Sequence, residues 1–458
     1  MNKKAMDMCN GSVFGKMVVY TLPIIFTGIL QLLFNAADLI IVGRFRGSAS
    51  VAAVGATGAI INLIINLFIG LSVGISVSTA QGLGGGKDDD VSKTVHTAIP
   101  SAIVSGIILT FVGFFCSEFF LELMGTPDDI IKLSASYMKI YFLGITSSML
   151  YNFGSAILRA AGDTLSPLIF LIIAGVVNVL LNILFVTVFS MNVEGVALAT
   201  SISQTVSAVL IIISLMKRND ACRLSLRKIR FHKKQLLRII RIGLPAGIQG
   251  SLFSISNVII QSSVNSFGSV VMSGNAVAQN IEGFIYITMN SFHQTAVNFT
   301  GQNYGAAKFD RIKKILVYSL VSVTAVGLVL GAVAVLLAQP LLSVYITDSQ
   351  SAIEYGVTRL LYICLTYFLC GIMDVMTGMM RGIGSSFAPM IITILGVCGM
   401  RIGWIYTIFR IPQYHSVTSL YLSYPVSWAI TFTVEIIVFL ILFRQRKKLF
   451  IKNNPSVS

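Results

Sequence analysis

The chain has 458 residues, of which 55% are hydrophobic and only 11% charged, with a mean hydropathy of +0.84 and a formal net charge of +15. So few charges cannot cover a soluble surface of this length, which excludes an ordinary soluble domain and points to a protein of the bilayer. The positive surplus then reads as a topology signal with some attraction to anionic lipid, and nucleic acid is not an expected partner.

Crossing about 30 Å of hydrocarbon takes roughly 20 apolar residues in helix. Twelve such stretches are predicted, near residues 17–42, 51–78, 94–116, 134–158, 166–189, 195–216, 242–265, 272–299, 316–338, 356–379, 388–410 and 423–443. They are long apolar runs and not ten-residue alternating segments, so the expected class is an all-α integral membrane protein and not a barrel. Met1 to Lys16 lacks a small-residue cleavage site and leads into a run long enough to span, so no removed export signal is expected. The run Asp88-Asp89-Asp90 reads as a solvated turn.

Between the sixth and seventh stretches lies a linker, residues 217–241, with ten Lys or Arg. It divides an N-terminal lobe, 1–216, from a C-terminal lobe, 242–458, that ends in a basic tail. With both termini in the cytoplasm, 26 of the 33 Lys and Arg fall on the inner side, among them Lys3, Lys4, Lys16, Lys87, Lys93 and the linker set. That is the orientation expected of a multi-pass protein of the cell membrane. The six cysteines show no C-x-x-C pair and no regular spacing with the four histidines, so neither a metal site nor a disulfide framework is expected.

The two lobes are copies. Leu22-Pro23 returns as Leu244-Pro245, Asn35 as Asn257, Arg159 as Arg381, Gly162 as Gly384 and Pro167 as Pro389, each 222 residues later. The turn Gln81 to Lys87 returns as Gln302 to Lys308, 221 residues later. An even number of spans per copy brings the second copy in from the same side, so the lobes are expected about a pseudo-two-fold axis along the membrane normal, a plan suited to alternating access.

Ionisable residues inside the spans are costly and therefore functional candidates. They are Asp38, Glu282, Asp374, Arg401 and Glu435. Asp38 follows Asn35 by about one turn; its bland alternative is an interfacial carboxylate pairing with Arg44 or Arg46. Comparison of the copies separates shared from unshared polar groups: Asp38 maps to Ile260, Asn178 to Met400, Asn182 to Trp404 and Thr200 to Leu422. Asn178 and Asn182 share a helix face at a spacing of four. Asn35, Asn257, Gln279, Glu282 and Asp374 form a further polar set for substrate or for a second-lobe site. Met373, Met376, Met379 and Met380 suit either a cavity accepting varied shapes or ordinary packing.

The stretch from Leu22-Pro23 through Asn35-Ala36-Ala37-Asp38-Leu39-Ile40-Ile41-Val42-Gly43-Arg44 to Val51-Ala52-Ala53-Val54-Gly55 resembles the multidrug and toxic compound extrusion (MATE) family. So do Arg159-Ala160-Ala161-Gly162-Asp163, Gly301-Gln302-Asn303-Tyr304-Gly305-Ala306 and Arg381-Gly382-Ile383-Gly384. The resemblance implies a twelve-helix secondary transporter that exports drugs or toxic organic cations in exchange for H⁺ or Na⁺. It places a cation site on Asp38, with partners falling on Asn178, Asn182 and Thr200. The chain departs from the family's pattern at Asn182, where many relatives carry a second Asp, and at Phe253, where some sodium-coupled relatives carry Glu. A lipid or lipid-linked oligosaccharide flippase of similar two-lobe design is the alternative, but several intramembrane Arg or Lys would be expected of it, and Arg401 stands nearly alone. No enzyme, no cofactor beyond the coupling ion, no metal beyond a possible Na⁺ at Asp38 and a monomeric state are expected.

Overall fold

A backbone N–H or C=O left unpaired in hydrocarbon costs several kcal/mol, so apolar stretches of this length close their hydrogen bonds as helix. The computed structural model describes residues 5–346 and 349–453. Lys3 and Lys4 of the inner set, and the tail beyond residue 453, lie outside the described residues.

Span 1 is Val13–Arg46, span 2 Ser48–Gly84 and span 3 Asp88–Phe115. Span 4 is broken at Gly144 into Asp128–Leu143 and Ile145–Ala160. Span 5, Leu165–Ile183, widens into a π-helical turn over Leu184–Val188, and span 6 is Val193–Met216. Spans 7, 8 and 9 are Lys233–Asn265, Ser269–Gly305 and Phe309–Leu336. Span 10 is the pair Gln350–Cys364 and Tyr367–Gly382, bent by 42°. Span 11 joins Phe387–Thr393, a π-helical Ile394–Gly399 and Met400–Tyr406, and span 12 is Val417–Asn453.

Among the described residues nine helices are long and apolar enough to cross a bilayer, and the bent pair makes ten. Span 8 is long but too polar for that measure, and the two 16-residue halves of span 4 are each too short. The protein is thus an all-α, multi-pass membrane protein whose twelve helical spans match the predicted stretches.

The chain divides into two compact units, one of Met1–Asp7 with Leu22–Ser251 and one of Met8–Thr21 with Leu252–Ser458. In the first unit, Gly70 of span 2 lies against the start of span 7, where a Cβ would sit 2.2 Å from the Gly247 nitrogen. Small residues admit this backbone approach, as is usual between membrane helices. In the second unit, the carbonyls of Met8, Cys9, Asn10 and Gly11 are held by Asn303, Lys308 and Arg311, at 2.7 to 3.2 Å.

The copies also repeat in backbone. Left-handed residues fall at Gly47 and Gly268, Gly86 and Ala307, and Gly162 and Gly384. The structure refines two expectations. Asp88-Asp89-Asp90 is solvated as expected, with Asp88 and Asp89 exposed, but it forms the first helical turn of span 3 and not a loop. There the helix dipole favours acids, Asp89 pairs with Lys93, and Asp90 accepts from Gln235 at 3.0 Å. Of the two readings given for the four methionines of span 10, burial favours packing: all four are buried, and Met379 Sδ accepts from Thr300 at 2.9 Å.

Candidate functional site

In the first unit, spans 1, 5 and 6 bring together all four residues of the predicted cation set. Asn182 donates to Asp38 Oδ1 at 2.5 Å and Thr200 donates to Oδ2 at 3.2 Å. Asn182 also donates to Asn178 Oδ1, and Asn178 to Thr200, both at 3.3 Å. The spacing of four in span 5 is what lines the two amides up on one face. Asp38 is 7% exposed and Asn182 fully buried, and the Asn182 carbonyl oxygen has no partner. The site is therefore one carboxylate ringed by three neutral polar groups, with a spare oxygen beside it. Such a set suits one proton or one monovalent cation, because a divalent ion would keep half its charge unmatched.

Neither arginine of the bland alternative takes part at Asp38. Arg46 instead donates to the Val186 carbonyl in the π-turn ending span 5. Asn35 is exposed while Asp38 is buried. Three residues along a helix leave side chains about 60° apart, enough to separate them. Tyr137 and Tyr141 of span 4, stacked 6.1 Å apart, lie within electrostatic reach of Asp38. Their i, i+4 spacing was the only signal for them in the sequence.

The second unit holds three buried polar clusters. In the first, Arg359 of span 10 donates to both oxygens of Glu282, at 2.7 and 2.8 Å, and to Asn275 Oδ1 at 2.7 Å. Tyr421 closes on the same Asn275 oxygen at 3.2 Å. In the second, His293 donates from Nδ1 to the Asp374 carbonyl at 2.7 Å and faces Arg381 through Nε2 at 3.3 Å. The same Arg381 is electrostatically coupled to Asp374 and Glu435. Glu435 is fully buried, with Oε1 held by Thr377 and Thr393 and Oε2 unpartnered. In the third, Arg401 is 1% exposed and meets aromatic rings.

Of the predicted second polar set, Glu282 and Asp374 thus fall in separate clusters. Asn257 and Gln279 are exposed, with Gln279 donating to Gln261 at 3.3 Å. Arg401 is not nearly alone: Arg359 and Arg381 are buried too. Arg359 stands inside the predicted stretch 356–379 and is a further intramembrane charge; its pairing with Glu282, 77 residues away, is what no helical spacing in the sequence reveals.

A family model described as MatE matches the chain twice, over residues 23–184 and 245–407, with starts 222 residues apart like the two copies. The probable multidrug resistance protein YoeA of Bacillus subtilis (strain 168) is 27% identical over 428 residues, covering 92% of each chain. The multidrug export protein MepA of Staphylococcus saprophyticus subsp. saprophyticus is 23% identical over 387 residues, 84% of this chain and 85% of its own. The fold is similar to that of a crystal structure of MATE in the bent conformation, with a TM-score of 0.89 at 21% identity over 96% of this chain and 98% of that one. An outward-facing multidrug resistance MATE family transporter of the MOP superfamily gives 0.90 at 21% identity, over 98% and 100%.

Proposed function

The chain belongs to the MatE family of membrane transporters, and from that premise we propose that it is a secondary active multidrug efflux transporter, exporting cationic or amphipathic compounds in antiport with H⁺ or Na⁺ by alternating access. Relatives described as multidrug export or resistance proteins support the substrate class. The single observation that supports ion coupling is Asp38, a buried carboxylate whose hydrogen-bond donors among the described residues are neutral groups of spans 5 and 6. A proton would neutralise it directly. Na⁺ would be held by Asp38, the carbonyl oxygens of Asn178 and Asn182, and the Thr200 hydroxyl.

One charge crossing 100 mV carries about 2.3 kcal/mol, which sustains a roughly fiftyfold concentration ratio. A cationic compound and the returning ion then compete for the same carboxylate, which links their movements. The flippase alternative finds less support. Arg359 is closed off by Glu282, and Arg381 is balanced by Asp374 and Glu435. We place the lobes at 1–216 and 242–458, the linker and both termini in the cytoplasm, and the protein in the cell membrane as a monomer.

The test is efflux of a cationic dye from proteoliposomes under proton and sodium gradients imposed separately. One of the two gradients should drive export, and Asp38→Asn should abolish it while the protein stays inserted and folded. Full export by Asp38→Asn would refute the coupling role.

A further inference from the structure

Arg401 is the one buried arginine named above without a carboxylate. Its Nε donates to the Ser427 hydroxyl at 3.0 Å, and among the described residues no carboxylate oxygen lies within 4 Å of its guanidinium. Its Nη2 is buried and unpartnered, as are the indole N–H groups of Trp428 and Trp404. The guanidinium carbon sits 4.0 Å from the Tyr424 ring centre, 5.4 Å from Trp428 and 5.8 Å from Phe253. The rings offset part of the cost of burying a cation, but they satisfy no N–H. Apart from the Ser427 hydroxyl, the Arg401 guanidinium and the Trp428 indole N–H meet no acceptor among the described residues, so the pair of buried donors lacks an anion.

The repeat sharpens the point. Trp404 stands where the first copy has Asn182, so the same span carries a carboxylate's partners in one unit and orphaned donors in the other. Arg401 follows directly on the π-helical segment Ile394–Gly399, a local widening common at functional sites.

We propose that Arg401, with the Trp428 indole N–H and the rings of Tyr424 and Phe253, forms a binding site for aromatic carboxylates. The guanidinium edge takes the two carboxylate oxygens, and the rings take the aromatic body. A phosphate dianion fits less well, because no second cation stands with Arg401 to match its further charge. The site is closed in this structure and opens as span 11 flexes at its π-helical segment. It extends the proposed transport reading by adding amphipathic acids and zwitterions to the substrates, and its existence is measurable without transport.

The only tryptophans in the chain are Trp404 and Trp428, so intrinsic fluorescence reports on this site directly. Purified protein is titrated with 4-nitrobenzoate, a contact quencher, and with neutral 4-nitrobenzamide. Saturable quenching at least about tenfold tighter for the carboxylate is expected. The preference should vanish in Arg401→Gln and survive in Ser427→Ala. Equal quenching by acid and amide, or a preference retained in Arg401→Gln, overturns the site. If Arg401→Gln does not fold, Trp428→Phe decides: the carboxylate should bind about tenfold more weakly and the amide unchanged, and an unchanged carboxylate affinity overturns the proposal. A protein that exports nothing yet shows the preference keeps this site and loses only the transport reading.

Discussion

Arg359 holds Glu282 through both oxygens inside the second unit, so either charge alone would be stranded. Removing one partner of such a pair costs about 3–5 kcal/mol, whereas replacing both by apolar groups is often near neutral. Glu282→Gln should therefore lower the melting temperature in detergent sharply, and Glu282→Leu with Arg359→Met should restore most of it; equal damage from single and double variants would contradict this. A second comparison uses the repeat. Gly162 and Gly384 share a left-handed backbone, with φ of 87° and 85°. Alanine there costs about 1–2 kcal/mol from the backbone alone. At Gly162 the new Cβ would also meet the Met6 carbonyl oxygen at 2.3 Å. Gly162→Ala should thus destabilise by more than the backbone cost alone, as thermal unfolding against the unsubstituted protein will read.

At the scale of elements, the linker is docked by His232. Its backbone N–H donates to Thr97 Oγ1 at 3.2 Å, and Arg230 Nε donates to its Nε2 at 3.1 Å. Burial first, then Arg230, Lys93 and His96, hold the ring below its ordinary value of 6.5, with only Asp89 opposing. The docked form therefore binds fewer protons than the free one. Its contribution is complete above the free pKa near 6.5 and is lost as pH falls through the docked value. The protection factor for hydrogen exchange at residues 226–233, taken against the intrinsic rate at each pH, should fall between pH 7 and 5, and His232→Gln should flatten that response. Such docking was illegible in the sequence, because it joins span 3 to the linker 135 residues away. The Asp38 set was legible in part: Asn178 and Asn182 share a helical register, and the comparison of copies marked both as unshared. The acidic run reads as a loop because an N-terminal helical turn and a polar loop have the same composition, and the methionines leave two readings open because flexible packing and flexible binding favour the same side chain.

For the molecule as a whole, hydropathy disclosed twelve spans even where Gly144 breaks one and polar residues crowd another. The reason is that burial inside a unit, and not hydropathy alone, keeps span 8 helical. Our cytoplasmic placement of the linker has its own check. With the six native cysteines replaced, a cysteine at Lys228 should react with an impermeant maleimide in inside-out vesicles and stay silent in intact cells; labelling of intact cells would reverse the topology. The feature that no local reading reveals is the tie between Met8 to Gly11 and Asn303, Lys308 and Arg311, partners about 300 residues apart. At 5–20 residues per second, a ribosome needs roughly 15–60 s to deliver those partners. Through that interval the first unit is being completed while Asn303, Lys308 and Arg311 are not yet there to bind residues 8–11. Maturation of the second unit is thereby timed by the chain's own beginning, so slowed translation should lengthen the window for misassembly more than it harms the finished protein.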